Sequence, residues 1–183
     1  MKQLILGIVV LGLVFGAGVL TGLRLEDPRP ETTVAGDVPA VMPGSRSHPF
    51  SVGRSSLVGA WEMTVRGVEK NGTQRVLLAN QFNTPPQPME SFVLIEVVLR
   101  RRSRGPGVVQ GSISPALVTP GGREYALRQD CGVVPRALDV QQLVGEGRQI
   151  TGQWCWAVKS LDLPKLTLRI AGTGGGSVWF SLE

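Results

Sequence analysis

The feature that most constrains the fold is a series of short apolar segments from Leu57 to the C-terminus, separated by turns rich in glycine and proline. The strongest is SFVLIEVVLR (91–100), which is apolar on both faces apart from Glu96 and is therefore predicted to be a central strand. AWEMTVRGV (60–68) alternates between apolar and polar residues, which is typical of a strand with one buried face.

The rest of this region contains further predicted strands, at 75–82, 108–120, 123–127, 148–158, 165–172 and 177–182. The segment 136–144 fits a helical turn and an irregular crossing equally well, and Asn71-Gly72 favours a tight turn with positive φ. Seven or eight strands without βαβ alternation predict an all-β fold. The spacing favours an antiparallel immunoglobulin-like β-sandwich, with an open barrel as the second choice.

An uncharged run of 20 residues, LILGIVVLGLVFGAGVLTGL at 4–23, precedes this region. As a helix it would be about 30 Å long, roughly the hydrocarbon thickness of a bilayer. Residues 1–23 are therefore predicted to be a transmembrane anchor, and a cleaved signal peptide is the alternative because small residues follow Phe15. Lys2 before the run and Glu26 after it give a weak bias that keeps the N-terminus inside. We therefore expect a single-pass membrane protein with its C-terminal domain outside the cytoplasm, or a secreted protein if the segment is cleaved.

Residues 24–56 contain five prolines and show neither helical nor strand periodicity. Proline fixes φ and lacks the backbone N–H, so this segment is predicted to be a semi-extended linker. The predicted organisation is a membrane or signal segment at 1–23, a proline-rich linker at 24–56 and a sandwich domain at 57–183.

The order of motifs in the C-terminal region resembles a known family. A V-x-A-W-x-M-x-V opening is followed by FVLIEVVL, PGGREY, L-V-x-E-G-x-x-x-x-G (143–152), WCWAV and a closing VWFSL. This order is similar to that of uncharacterised bacterial extracytoplasmic domains related to mycobacterial secreted immunoprotective antigens. The resemblance covers roughly 57–183 and implies an immunoglobulin-like sandwich, without implying any catalytic residue. Such domains often lie behind an N-terminal anchor or a lipoprotein signal, and a lipoprotein anchor is excluded here because no cysteine follows the apolar run. Such domains often have an asparagine-glycine turn after the long strand, where this chain has RRRSRGPG.

The chain contains two cysteines, Cys131 and Cys155, and export would expose them to oxidising conditions in which disulfides persist. A bond between them would close a loop of about 24 residues and stabilise the domain by about 3 kcal/mol. Free thiols and a metal site are the alternatives. The sequence lacks a C-x-x-C motif, which argues against redox chemistry. Two cysteines with one distant histidine, His48, do not make a zinc site.

Two tryptophans flank Cys155. Alternation places Trp154, Trp156 and Val158 on one face of the strand, opposite Cys155 and Ala157. Packing of the two rings into the core is the favoured interpretation, and an exposed aromatic platform for sugars or lipid is the alternative.

The net charge of +5 is concentrated in RRRSR, which supplies Arg100, Arg101, Arg102 and Arg104. These arginines are a candidate site for anionic lipid head groups, wall polymers or an acidic protein partner. The alternative is a solvated hairpin tip that discourages edge-to-edge pairing of sheets. Nucleic acid is not expected as a partner, because no pattern of interleaved basic and aromatic residues is present.

The sequence contains no motif that predicts a catalytic site, a cofactor or a bound metal. One histidine in a linker cannot support an acyl-transfer triad, and GTGGG (172–176) lies between two strands and predicts a hairpin turn rather than a phosphate loop. The predicted function is a non-enzymatic, membrane-anchored extracytoplasmic binding or accessory module of unknown ligand and oligomeric state. The first alternative is a secreted, antigen-like soluble protein, and a lesser one is an envelope hydrolase that uses some of the scattered carboxylates.

Overall fold

A computed structural model describes residues 42–127 and 131–183. The described chain forms eight strands and two short helices, which in chain order are β1 (Ser55–Val58), β2 (Trp61–Glu69), α1 (Thr73–Ala79), β3 (Glu90–Arg101), β4 (Ile113–Val118), β5 (Glu124–Ala126), β6 (Gln149–Lys159), a 3-10 helix (Ser160–Lys165), β7 (Thr167–Gly172) and β8 (Ser177–Ser181). One antiparallel sheet has the order β1-β2-β3-β6 and the other the order β5-β4-β7-β8. The predicted all-β antiparallel sandwich is confirmed, and the two separate sheets replace the barrel alternative.

The main core lies between the two sheets and follows the alternation along the strands. β3 is central in its sheet, between β2 and β6, as its sequence predicts. Val93, Ile95 and Val97 point into the main core, while Phe92 and Leu94 point out of the sandwich into a second, smaller apolar cluster. This second cluster explains why β3 is apolar on both faces, since α1 covers part of its outer face.

The prediction of a strand at 75–82 is wrong, because α1 occupies Thr73–Ala79. Alanine, leucine, glutamine and arginine favour helix, and the buried Val76 packs on the outer face of β3 in the second cluster. The predicted positive-φ turn is also wrong, since Gly72 has φ −84°. Glycine is required there by close packing instead, because a Cβ atom at Gly72 would lie 2.8 Å from side-chain atoms of Leu94.

The described part of the predicted linker, 42–56, is not a free spacer. The Phe50 amide donates to the Trp179 carbonyl at 2.8 Å, and the Phe50 carbonyl accepts from the Ser181 amide at 2.8 Å. β1 then begins at Ser55. The proline-based interpretation fails here because Pro49 lacks only its own N–H, and the neighbouring Phe50 supplies the backbone hydrogen bonds to β8. Residues 24–41 lie outside the described residues.

The segment 136–144 is an irregular crossing, the second of the two interpretations left open by the sequence. Leu138 and Val144 are buried, and the Leu138 amide donates to the Gln153 carbonyl of β6 at 3.0 Å. Gly152 of β6 admits this crossing, since a Cβ at that position would collide with the Leu138 backbone. The crossing therefore covers part of the outer edge of β6.

Within 42–127 and 131–183, no helix is long and apolar enough to cross a bilayer. The predicted transmembrane or signal segment, 1–23, lies outside these residues.

Candidate functional site

Cys131 and Cys155 form a disulfide with a Cα–Cα distance of 6.2 Å. Both cysteines are buried on the outer face of the β1-β2-β3-β6 sheet, in the second cluster with Val76, Phe92 and Leu94. The bond therefore holds the segment that begins at Cys131 onto the central strands. Its buried, apolar surroundings suit a structural bond rather than a reactive thiol pair.

Asn83 adds hydrogen bonds beside this second cluster, a contact that the sequence analysis does not predict. Its Nδ2 donates to the Val76 carbonyl at 2.7 Å and to the Val133 carbonyl at 2.8 Å, while its Oδ1 accepts from the Val133 amide at 2.7 Å. One side chain therefore joins α1 to the disulfide-bonded segment. Asn83 and Val133 are 50 residues apart in the chain, so no local pattern announces the contact.

The side chains of Trp154 and Trp156 are buried in the main core, as the favoured interpretation predicted, and the exposed platform is ruled out. Their ring centroids are 6.1 Å apart in an edge-to-face arrangement. Such pairs add to the stabilisation from burial alone.

The four arginines of RRRSR do not converge on one site. Arg101 lies opposite Trp61 in the β2–β3 register, and its guanidinium stacks over the Trp61 ring, 5.3 Å from the centroid. Arg100 donates to Gln149 Oε1 at 3.1 Å, and Arg102 Nε lies 4.0 Å from Glu62 Oε2.

Arg100, Arg102 and Arg104 are exposed. Any anionic surface would therefore meet these three, while Arg101 caps the end of the core.

A second long-range polar contact fastens the 3-10 helix to β5. The Tyr125 hydroxyl and Arg123 Nη1 both donate to Asp162 Oδ2, each at 2.5 Å. The hydrogen bond from Tyr125 lowers the pKa of Asp162, and Arg123 lowers it further. Partial burial, followed by the hydrogen bond to Asp162, raises the pKa of Tyr125. The carboxylate is thus held ionised as an acceptor, which makes it a poor proton donor.

The described residues bring no three histidine, cysteine, aspartate or glutamate side chains together in a group that could hold a metal ion.

A cavity of about 280 Å³ opens at the lateral edge of the sandwich, where β5 ends. β5 pairs with β4 only from Ala116 to Val118, whereas β7 pairs with β4 along its whole length from Ile113. Among the described residues, β5 therefore pairs with only the second half of β4. The apolar side chains of Ile113, Val140 and Trp154 line the cavity. Glu124 of β5 and Arg169 of β7 also line it.

Two side-chain nitrogens of the lining residues, the Trp154 indole Nε1 and the Arg169 Nε, are buried away from solvent without an acceptor among the described residues. Trp154 is only 4% exposed. The other nitrogens of Arg169 are used, since Nη1 lies 2.8 Å from Glu124 Oε1 and Nη2 donates to Glu124 Oε2 at 2.9 Å. The cavity therefore combines an apolar wall with the Glu124–Arg169 ion pair.

The fold defines the class of protein, an antiparallel β-sandwich of two four-stranded sheets. No protein-family model and no curated protein matches the sequence. Among solved structures, the chain is similar to MPT63, a secreted protein from Mycobacterium tuberculosis, with a TM-score of 0.50, 14% identity, and coverage of 75% of this chain and 98% of that one. An uncharacterised β-sandwich protein from Clostridium difficile gives a TM-score of 0.48 at 8% identity, covering 74% and 95%. A conserved hypothetical protein from Bacillus anthracis gives 0.49 at 10% identity, covering 73% and 95%.

These identities are too low to carry a residue's role from one chain to another. The likeness to MPT63 confirms the predicted resemblance to uncharacterised β-sandwich proteins at the level of the fold.

Proposed function

We propose that this protein is a non-enzymatic binding or accessory module, anchored in the membrane by residues 4–23, with its β-sandwich outside the cytoplasm. The observation that carries the proposal is the buried Cys131–Cys155 disulfide, which ties a surface segment to the central strands. Such bonds persist in oxidising compartments and are rare in the cytosol. The apolar run at 4–23 supplies a route of export, and the structural neighbour MPT63 is described as secreted.

The carboxylates of the described domain favour a binding role over hydrolysis. Five of them lie within 4.0 Å of an arginine nitrogen, namely Glu62, Glu69, Glu96, Glu124 and Asp162. A glycosidase needs two carboxyl groups facing one bond, with one of them kept protonated by its environment. Asp162 opposes that requirement, because the hydrogen bonds from Tyr125 and Arg123 lower its pKa.

Protease accessibility tests the proposed location. The full chain, carrying a C-terminal tag, is expressed in a bacterial host and protease is added to spheroplasts and to lysed cells. We expect the tag to be lost from intact spheroplasts while a cytoplasmic control protein survives, and the uncleaved chain to sediment with membranes. A tag that is protected until lysis contradicts the proposal.

A secreted, soluble protein is the second candidate, and the fold shared with MPT63 favours it. The intact mass of the mature protein separates the two. A mass that lacks roughly the first 16–22 residues, the region where a signal peptidase would cut, supports secretion, and the full-length mass supports the anchor.

A further inference from the structure

A shallow polar pocket lies on the outer face of the β1-β2-β3-β6 sheet, towards the other end of β3 from the second cluster. At its base Thr64 lies opposite Val98 in the β2–β3 register, and Val98 is only 9% exposed. This outer-face pocket is completed by Ser55, Glu62, Arg66, Arg100 and Gln149. All of its lining residues belong to strands, which hold side chains more precisely than loops do.

Two arginines reach the outer-face pocket from different directions. Arg66 comes two positions after Thr64 along β2, and Arg100 comes two positions after Val98 along the antiparallel strand β3. The two arginines therefore lie on opposite sides of the Thr64–Val98 pair, about 12 Å apart along the strands. Both line the same pocket, so both side chains are available to one bound group.

A β-bulge in β2 sets the position of Arg66. Val65 pairs with Val97, and the next pair joins Gly67 to Glu96. Arg66 is therefore the extra residue of the bulge and has no partner of its own on β3. Bulges re-aim a side chain and recur beside functional sites. The bulge thus leaves Arg66 exposed beside the pocket while Val65 stays buried in the core.

The polar groups around the pocket offer hydrogen-bond donors to a ligand. None of the five ion pairs among the described residues uses Arg66 or Arg100. Arg100 Nη2 donates to Gln149 Oε1 at 3.1 Å, which leaves its other N–H groups for a ligand. Ser55 Oγ and Thr64 Oγ1 lie 2.7 Å apart, so one hydroxyl donates to the other and the second keeps its own proton to donate.

The charge of the lining selects a singly charged anion. Arg66 and Arg100 contribute two positive charges and Glu62 contributes one negative charge, which gives 2 − 1 = +1. Glu62 lies opposite Arg100 in the register, and its Oε2 is 4.0 Å from Arg102 Nε. A second negative charge on the ligand would be repelled by the Glu62 carboxylate.

A phosphodiester fits the two arginines better than a carboxylate does. A guanidinium binds either group through two parallel N–H donors. The two oxygens of a carboxylate lie in one plane, so one guanidinium occupies both of them. A phosphodiester also carries one negative charge, but its oxygens are arranged tetrahedrally and can accept from Arg66 on one side and from Arg100 on the other. The volume of about 210 Å³, equal to about seven water molecules in the liquid, accommodates this group.

We propose that the outer-face pocket binds a phosphodiester group. Arg66 and Arg100 donate to its non-bridging oxygens, and the hydroxyl pair of Ser55 and Thr64 supplies a further donor. The phosphodiester belongs either to a lipid head group or to a soluble or polymeric compound, and the experiment below separates these sources. This assignment names a ligand chemistry for the binding role proposed above and rests on it.

The test uses the full chain in dodecyl maltoside micelles, which contain neither phosphate nor charge, and glycerophosphoglycerol as the probe at constant ionic strength. NMR follows the arginine Nε–H signals, and the signals of Arg66 and Arg100 are assigned by their loss in Arg66→Gln and Arg100→Gln. We expect both signals to shift and to saturate. Acetate should bind at least about fivefold more weakly, because it engages only one guanidinium.

Three variants locate the binding. Arg66→Gln, followed through the Arg100 signal, should weaken binding of glycerophosphoglycerol at least about tenfold, because charge-assisted hydrogen bonds are lost. Arg104→Gln is its matched control, since it removes the same charge at an exposed position outside the pocket and should change the affinity less than about twofold. Thr64→Val keeps the branched shape but removes the hydroxyl, and we expect about threefold weaker binding.

Phosphatidylglycerol added to the micelles identifies the source of the phosphodiester. If the lipid shifts the Arg100 signal in the wild type but not in Arg66→Gln, the pocket binds a lipid head group. If glycerophosphoglycerol shifts the signal and the lipid does not, the pocket binds a soluble or polymeric phosphodiester. Both results support the assignment.

Four outcomes would overturn the assignment. These are unshifted arginine signals, shifts that rise linearly without saturation, equal losses of affinity in Arg66→Gln and Arg104→Gln, and acetate that binds as tightly as glycerophosphoglycerol. The protease experiment on spheroplasts does not depend on this titration. A failed titration of an extracytoplasmic domain therefore removes the ligand chemistry and leaves the location standing, and a tag protected until lysis beside a saturable titration does the reverse.

Discussion

Replacing both cysteines with alanine should destabilise the domain through the loss of one long cross-link. The bond joins residues separated by 24 positions, and the chain-entropy relation for a loop of that length gives about 3.5 kcal/mol at 25 °C. Both side chains are buried in a small cluster with Val76, Phe92 and Leu94, so the alanines also lose packing there. A domain of this size loses about 3 °C of Tm per kcal/mol, which predicts a decrease of about 10–15 °C.

Near-ultraviolet circular dichroism follows this loss directly, because three of the four tryptophans are buried. Thermal unfolding of the wild type and of the Cys131→Ala/Cys155→Ala variant is compared with and without a reductant. Reductant should lower the Tm of the wild type towards that of the variant and leave the variant unchanged. Proteolysis of the folded variant should begin in 131–138, which the bond fastens. If the free energy of unfolding of the variant lies within about 1 kcal/mol of the wild-type value, the disulfide does not hold the segment that begins at Cys131 in place.

Three further predictions concern contacts outside the disulfide. Tyr125→Phe should raise the pKa of Asp162 towards its usual value, because the largest cause of its lowering is removed, and NMR titration of the carboxylate measures this. The pKa of Asp162 is lower in the folded protein than in the unfolded chain. Its contribution to the free energy of unfolding is therefore present above the unfolded pKa and is lost as pH falls through the folded pKa. Tyr125→Phe should make this pH-dependent loss of stability smaller. Gly152→Ala should destabilise by about 1–3 kcal/mol in urea unfolding, whereas Gly67→Ala, with open space around it, should not. Arg101→Gln should cost about 0.5–1 kcal/mol in the same assay, and no measurable loss would contradict the stacking on Trp61.

The strands could be predicted because the alternation of buried and exposed residues is local. β3 was identified as central from its apolar faces alone, and β6 placed Trp154 and Trp156 inward from the same period. The disulfide is predicted from the presence of two cysteines together with a predicted membrane or signal segment. These inferences need only the residues of one segment, or a count over the chain.

The contacts that sequence reasoning missed join residues far apart in the chain. Asn83 meets Val133 across 50 positions, and Tyr125 meets Asp162 across 37. The pattern within 75–82 does not indicate α1, because this helix is stabilised by packing on the apolar outer face of β3, elsewhere in the chain. The pairing of β5 with β4 covers only Ala116–Val118, a register detail that no composition or spacing indicates.

The redox state of the two cysteines in living cells shows whether the sandwich is in an oxidising compartment. Intact cells that express the full chain are treated with a membrane-permeant maleimide, the protein is denatured in the presence of the reagent, and its mass is measured. We predict a mass without added maleimide, and two additions once the sample is reduced before labelling. Two additions without reduction would mean that Cys131 and Cys155 are free thiols in the cell, and would contradict an oxidised sandwich outside the cytoplasm.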